Sequence, residues 1–293
     1  MKTILAGLAF VALWSSASVA TKLGLRTAEP FAITNMRFIV GGLFMLLWAH
    51  GVKRYPLPPR QDRGPLVVYG ILNCSLYLGM YAFAMRYTAA GTGSLAVGLT
   101  PLLIIGMSAL FLGTRTGLAI WIGLLLGVAG VGVATWPLLQ NGMTQPKGLA
   151  LVSLSMISYS LGTIYFSNRK WSMERIAINA WQITAGAITL LPVTLFFTNW
   201  ERHHFDLNYW ASVWWLAIPV STGAVQLWLY LLHLDRIRAA LWLFLTPVLG
   251  FFYAYWLMDE PIGWFTGIGT VLVTAGLYIG QKKPKGKETT ETR

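Results

Sequence analysis

The chain has 293 residues, of which 56% are apolar and 11% are charged. A soluble domain has about a quarter of its residues charged, so this composition excludes an ordinary soluble protein. Apolar runs of about twenty residues, long enough to cross the hydrocarbon layer of a bilayer, recur between short polar breaks. The sequence therefore predicts an all-α integral membrane protein.

Ten apolar runs follow one another along the chain, and we expect each to be a transmembrane helix. The polar tail after the last run is expected to be disordered and cytoplasmic. The predicted spans are approximately 3–22, 31–50, 66–86, 91–112, 116–136, 148–168, 176–198, 209–233, 238–257 and 262–281, and the tail is 282–293.

The first run imitates a secretory signal peptide. Lys2 precedes an apolar stretch, and Ser18-Val19-Ala20 resembles a cleavage site. The apolar run nevertheless continues to Lys22, and its removal would leave the first half of the chain one helix short. We therefore expect these residues to be retained as the first helix.

The net charge of +12 would suggest nucleic-acid binding in a soluble protein. If the N-terminus is inside, however, most Lys and Arg residues fall on the inner loops and tails, as the positive-inside rule requires. This bias places both termini in the cytoplasm, and we expect a multi-pass protein of the bacterial inner (plasma) membrane. Its basic loops would face anionic membrane lipids, and no nucleic-acid partner is expected.

An internal repeat organises the chain. Leu99-Thr100-Pro101 recurs as Leu245-Thr246-Pro247, a shift of 146 residues, and the same shift places Gly123 on Gly269. Periodic self-similarity of this kind indicates duplicated structural units.

Each half of the chain, 1–140 and 147–281, holds five predicted helices. Because five is odd, the second half must start on the opposite side of the membrane from the first. The predicted fold is therefore ten transmembrane helices in two inverted five-helix repeats, an architecture typical of secondary transporters. Duplicated membrane scaffolds and enzymes remain the alternative.

Arg37 is the one clear charge inside a predicted span. In this earlier part of the chain a shift of 145 residues aligns Gly41 with Gly186, and it makes Gln182 the counterpart of Arg37 in the second half. A charge at that depth is costly unless it is paired or hydrated, so we expect it to face the interior of the bundle. Two interpretations stay open. Arg37 binds a substrate carboxylate or lines a gate, or it is a structural clamp that pairs with a helix C-terminus or with Glu29.

Polar and aromatic side chains near the middle of the spans are expected to line a central cavity with Arg37. Asn73, Tyr77 and Tyr81 repeat every four residues and so share one helix face. The alternative is that the aromatic residues only anchor the protein at the membrane interfaces. The predicted substrate-binding set is Trp14, Ser15, Ser18, Arg37, Asn73, Tyr77, Tyr81, Thr100, Tyr159, Gln182, Gln226 and Trp242.

Pro101 and Pro247 lie inside spans at matching places and are predicted to be hinges, with ordinary helix bends as the alternative. Gly-x-x-x-Gly pairs that begin at Gly123, Gly263 and Gly276 allow close helix packing. We expect this packing to be within the chain, and a homodimer seam is the second possibility.

Signals of enzyme chemistry are missing from the sequence. The four histidines have no metal-ligand spacing, no phosphate-binding glycine loop is present, and the single cysteine, Cys74, is expected to be a buried small residue. No metal or cofactor is expected. None of the ten acidic residues lies in mid-span, which argues against a proton-coupled exporter of cations, although Asp259 and Glu260 remain candidates for coupling.

Several of these motifs together resemble the EamA-type carriers of the drug/metabolite transporter superfamily. They are Leu13-Trp14-Ser15-Ser16 running to Lys22-Leu23-Gly24-Leu25, Arg37, the two Leu-Thr-Pro motifs, and Asp259-Glu260. One departure is Thr114, which stands in the first half where the second half has Glu260.

The resemblance implies a central cavity that opens alternately to each side, and transport, export in particular, of amino acids or related small metabolites. The expected partner is thus a small-molecule substrate. A membrane-embedded enzyme acting on lipid-linked substrates is the second hypothesis, and a channel or structural subunit is the third.

Overall fold

The computed structural model describes residues 2–113, 116–234, 242–243 and 245–281, and every secondary-structure element in this part of the chain is a helix. This confirms the predicted all-α class. The predicted disordered tail and Thr114 lie outside the described residues. The helices are α1 (Lys2–Gly24), α2 (Pro30–Val52), α3 (Arg60–Ala84), α4 (Ala90–Gly98), α5 (Thr100–Leu112), α6 (Leu118–Gln140), α7 (Pro146–Ser167), α8 (Arg175–Phe197), α9 (207–234), α10 (Leu245–Met258) and α11 (Trp264–Gln281).

Six of the described helices (α1, α2, α3, α6, α7 and α8) are long and apolar enough to cross a membrane. The pair α4 and α5 meets at an angle of 47° and makes a seventh candidate if the two helices form one broken span. The protein is therefore a multi-pass membrane protein. The other three of the ten predicted spans coincide with α9 and the shorter apolar helices α10 and α11, and they stay predictions as spans.

Helix α3 begins six residues before the predicted start of its span at residue 66, and it contains Pro65. Proline lacks an N–H group, so the carbonyl one turn earlier, that of Gln61, loses its helical donor. The side chain of Arg169 replaces that donor, because its Nη2 atom donates to the Gln61 carbonyl oxygen at 3.0 Å. The polar first turn of α3 is thus stabilised by a contact from the loop after α7, which the local sequence does not reveal.

Helices α6 and α11 pack backbone to backbone through glycines. A Cβ atom on Gly123 would lie 2.5 Å from the Gly276 carbonyl oxygen, and one on Gly130 would lie 2.6 Å from the Gly269 carbonyl oxygen. No side chain fits in either gap, so Gly123 and Gly276 serve packing within the chain, as expected. The pair that begins at Gly263 does not, because no atom lies within 4 Å of the Cβ positions of Gly263 and Gly267. The shift of 146 residues converts one of the two close contacts into the other, because it places Gly123 on Gly269 and Gly130 on Gly276.

Substitution of Gly130 by Ala is expected to lower the thermal unfolding midpoint in detergent, because the new methyl group must push α11 away. Overpacking of this kind costs about 1–3 kcal/mol. Gly132 is the matched control on the same helix, since no atom lies within 4 Å of the Cβ position there. Its replacement by Ala should be neutral or slightly stabilising. Equal thermal unfolding midpoints for Gly130→Ala and Gly132→Ala would contradict the close packing of α6 against α11.

Candidate functional site

Arg37 on α2 forms the centre of a polar cluster. Its Nε and Nη2 atoms both donate to Ser221 Oγ on α9, at 3.0 and 2.9 Å. Among the described residues no carboxylate forms an ion pair with Arg37. Glu29, considered above as a structural partner, instead pairs with Arg86. The guanidinium charge is therefore held by a neutral hydroxyl group.

Two π-helical segments place polar groups at this cluster. They are Ile71–Leu76 in α3, which contains Asn73, and Leu216–Ala224 in α9, which contains Ser221. Wide π turns of this kind occur often at functional sites. Ser221 was not among the residues predicted to bind substrate. The available signal was the shift of 146 residues, which places Ser221 on Ser75.

The second half holds a neutral contact at the position that corresponds to Arg37. Gln182 on α8 is buried, accepts a hydrogen bond from Asn73 Nδ2 at 2.9 Å, and donates to Asn179 Oδ1 at 2.6 Å. An amide pair is thus sufficient to join α8 to α3. The corresponding contact between α2 and α9 therefore does not require the charge of Arg37.

Tyrosine rings line the same region. The ring centroids of Tyr77 and Tyr159 are 4.7 Å apart, and those of Tyr77 and Tyr81 are 6.4 Å apart. Tyr77 and Tyr81 also lie within electrostatic range of Arg37. Arg37, Asn73, Tyr77 and Tyr159 are only half-buried although they lie well inside their helices. The structure therefore brings these predicted residues together.

Helix α1 contributes two serines with different roles. Ser15 is buried, and its hydroxyl donates to the Thr246 carbonyl oxygen on α10 at 2.9 Å. Ser18, one turn further on, is buried beside Tyr81. Ser18 thus adjoins the tyrosine cluster, whereas Ser15 is engaged in joining α1 to α10.

Three predicted residues lie in other surroundings. Trp14 and Trp242 belong to an apolar cluster with Phe10, and the Trp242 indole covers Gly7 so closely that a Cβ atom there would lie 2.0 Å from the ring. Gln226 has an exposed side chain. Their roles in binding stay predictions.

The two Leu-Thr-Pro motifs have the same local hydrogen-bond arrangement. Pro101 and Pro247 lack an N–H group, which leaves the carbonyls of Val97 and Leu243 without a helical donor. Thr100 Oγ1 donates to the Val97 oxygen at 2.6 Å, and Thr246 Oγ1 donates to the Leu243 oxygen at 2.7 Å. Each threonine therefore replaces the bond that the following proline removes. In the first half the motif coincides with the 47° bend between α4 and α5.

Glu260 caps a helix of the other half. Its carboxylate is buried and accepts the backbone N–H groups of Ala90 and Gly91 at 2.5 and 2.9 Å, and Thr144 Oγ1 accepts that of Ala89 at 3.0 Å. These donors at the start of α4 would otherwise be unsatisfied, and a negative charge there also complements the helix dipole. The acid that the sequence left as a coupling candidate is thus engaged as a helix cap.

The loop before α9 is held against the loop before α2. Asp206 accepts the Tyr209 N–H group and the Thr27 hydroxyl, both at 2.9 Å, and the Tyr209 N–H group holds the pKa of Asp206 below its usual range. His203 Nδ1 accepts the Glu29 backbone N–H group at 3.1 Å, and burial lowers the pKa of the His203 imidazole. This contact needs the neutral imidazole, because a protonated Nδ1 cannot accept.

Loss of the Thr100 hydroxyl in Thr100→Val is expected to lower the free energy of unfolding by about 1–3 kcal/mol, because the Val97 carbonyl is left without a donor. In a Pro101→Ala background the same change should cost much less, since the restored N–H group can donate to Val97. A double-mutant cycle by thermal unfolding in detergent measures this coupling. Ser108→Ala is the control: Ser108 donates to Ile104, whose carbonyl no proline has deprived of its helical donor, so its loss should cost little. If the losses in the free energy of unfolding for Thr100→Val and Pro101→Ala simply add, Thr100 does not replace the donor that Pro101 removes.

Stability is also expected to fall as the pH drops below about 6.5, the usual pKa of histidine. The pKa of His203 is lowered in the folded protein, so the unfolded chain binds this proton more tightly and gains relative stability at low pH. Unfolding midpoints between pH 5 and 8 measure the effect. His203→Asn should flatten the profile, whereas His204→Asn, which changes an exposed neighbour, should not. An unchanged profile in His203→Asn would exclude this histidine as the cause.

An open groove of about 760 Å³ lies between the C-terminal ends of α5 and α7. Its lining includes Leu72, the neighbour of Asn73, and the basic residues Arg169 and Lys170.

Comparison with known proteins identifies the family. The model of the EamA-like transporter family matches residues 1–136 and again residues 146–279. An uncharacterized transporter of Synechocystis sp. is 26% identical over 296 residues, which cover 94% of this chain and 89% of the relative. The uncharacterized inner membrane transporter YedA of Escherichia coli K12 is 24% identical over 284 residues, covering 93% of this chain and 90% of YedA.

A protein of known crystal structure is 21% identical, with a TM-score of 0.63 and coverage of 96% of both chains, a likeness that shows the fold alone. The family model, in contrast, accounts for nearly the whole chain, and the relatives are named as transporters. The resemblance drawn from the motifs is thereby confirmed: the chain belongs to the EamA-like transporter family.

Proposed function

We propose that this transporter is a secondary carrier that moves small carboxylated metabolites, amino acids or related compounds, across the bacterial inner membrane by alternating access. Both termini lie in the cytoplasm, as the distribution of basic residues predicts. The direction is export, which follows from the family resemblance alone.

The observation that carries the proposal is the Arg37 charge. It lies inside a predicted span and is bonded to the neutral hydroxyl of Ser221. A charge at that depth is costly, and such residues usually mark the path of a substrate or ion. Since Gln182 joins the corresponding helices of the other half without a charge, the cation is best explained by a carboxylate that it binds during transport.

Repeated contacts support an architecture of ten helices in two inverted repeats. The glycine pairs of α6 and α11 and the threonine bonds of the two Leu-Thr-Pro motifs both recur under the shift of 146 residues. The family model also matches each half separately. Inverted repeats exchange their conformations about a central site, which provides access from one side and then from the other.

Two matching ties are proposed to close the opposite faces. Asp62, at the start of α3, accepts the hydroxyl and the backbone N–H group of Ser172 in the loop after α7. Asp206, at the start of α9, accepts the hydroxyl of Thr27 in the loop after α1. The groove whose lining includes Arg169 and Lys170 would be the inner approach, and the bend at Thr100-Pro101 the hinge. Transport then follows from the difference in binding energy between the two states.

Counterflow in proteoliposomes tests the proposal. Purified protein should exchange a labelled carboxylated metabolite from a mixed pool in a saturable manner, and Arg37→Gln should reduce the exchange at least about tenfold by weakening the bidentate contact. Arg202→Gln, which changes an exposed arginine of an outer loop, is the control and should exchange normally. Absence of saturable flux for every pool member, or full activity of Arg37→Gln, would contradict the proposal.

A further inference from the structure

The central site holds a positive charge and no negative one within the described residues. The three buried acids are all engaged elsewhere: Glu29 pairs with Arg86, Asp62 binds Ser172, and Glu260 caps α4. The other described acids are Asp206, bound to Thr27, and the exposed Glu174, Glu201 and Asp259. Among the described residues, a substrate that reaches Arg37 therefore meets no carboxylate that could bind an ammonium group.

The guanidinium of Arg37 has unused donor capacity. Of its five N–H donors, two are directed to Ser221 Oγ, and the other three have no partner among the described residues. A guanidinium binds a carboxylate through two parallel hydrogen bonds, an arrangement that a single hydroxyl group cannot reproduce. One carboxylate would both use these donors and neutralise the charge.

Much of the wall beside Arg37 is formed by tyrosine rings. Tyr77, Tyr81 and Tyr159 present ring surfaces, with Tyr77 and Tyr159 only 4.7 Å apart between centroids. Of the nearby amides, Gln182 is engaged by Asn73 and Asn179, whereas the Asn73 Oδ1 atom has no partner among the described residues. This composition suits an aromatic or apolar body attached to the carboxylate.

An α-amino acid fits these surroundings less well than a simple acid does. Its ammonium group is attached next to the carboxylate, so it would be held close to the positive guanidinium. Burying that second charge beside the guanidinium carries a desolvation cost, and the described site offers only neutral acceptors such as Asn73 Oδ1 to offset it. The ring faces can attract a cation, but the site would still hold a net positive charge after the carboxylate had neutralised Arg37.

We infer that the site around Arg37 selects small organic acids that have one carboxylate, an aromatic or apolar body and no ammonium group, an inference that rests on the proposed transport function and narrows its substrate class. Arg37 binds the carboxylate, Ser221 orients the guanidinium, and Tyr77 and Tyr159 contact the body of the acid.

Three compounds with one skeleton test the inference: 3-phenylpropionate, phenylalanine and phenethylamine, which carry the carboxylate alone, both groups, and the ammonium alone. Binding to the purified full chain is measured by tryptophan fluorescence and by the shift in thermal unfolding. We expect 3-phenylpropionate to bind at least about tenfold more tightly than phenylalanine, and phenethylamine to show no saturable binding. Arg37→Gln should abolish the difference, Arg37→Lys should retain part of it, and Arg202→Gln should leave it unchanged.

Phenylalanine binding as tightly as 3-phenylpropionate would overturn the inference, as would a preference that persists in Arg37→Gln. If none of the three compounds binds, the inference also fails. Saturable counterflow of another metabolite would then show that the protein is a carrier even though the inferred substrate class is wrong. The comparison of the three compounds in the unaltered protein keeps the test valid even if the Arg37 variants do not fold.

Discussion

The constraint on which this structure depends is that backbone polar groups inside a membrane must be satisfied within the protein. Continuous helices meet it automatically, but the chain breaks or distorts several of its helices. At four of these places a side chain replaces the missing partner. Thr100 and Thr246 supply donors to carbonyls freed by proline, Arg169 does so for Gln61, and Glu260 accepts the first N–H groups of α4. Irregular backbone can then persist where a site needs it.

The same constraint explains why the central charge is informative. The amide pair of Asn73 and Gln182 shows that helices of the two halves can be joined without an ion. Arg37 is the exception, because the corresponding Gln182 satisfies its helix contact as an amide. In a duplicated fold, a charge that is costly to bury and is present in only one half is expected to persist only if it contributes to function. The tyrosines around Arg37 and the π-helical segments that carry Asn73 and Ser221 are consistent with that view.

Much of the fold could be predicted from the sequence, because membrane helices are encoded by apolar length and the repeat by recurring glycines and Leu-Thr-Pro motifs. The grouping of Arg37, Asn73, Tyr77, Tyr81 and Tyr159 was accessible for the same reason, since their spacing placed them on particular helix faces at similar depth. The early start of α3 was not accessible, because Pro65 is tolerated through a contact from Arg169, more than a hundred residues away. Ser221 was missed because one serine in an apolar helix carries no local signal, and the capping role of Glu260 depends on the packing of one half against the other.

The most direct test of the account is the accessibility of the central site from the two sides of the membrane. Tyr159→Cys in a Cys74→Ala background would place a single reactive thiol beside Tyr77, and a membrane-impermeant maleimide could be applied to right-side-out and to inside-out vesicles. The account predicts labelling from both faces, slowed from both by a bound substrate, because one site opens alternately to each side. Labelling from one face alone, unchanged by any substrate, would contradict alternating access and indicate a fixed cavity.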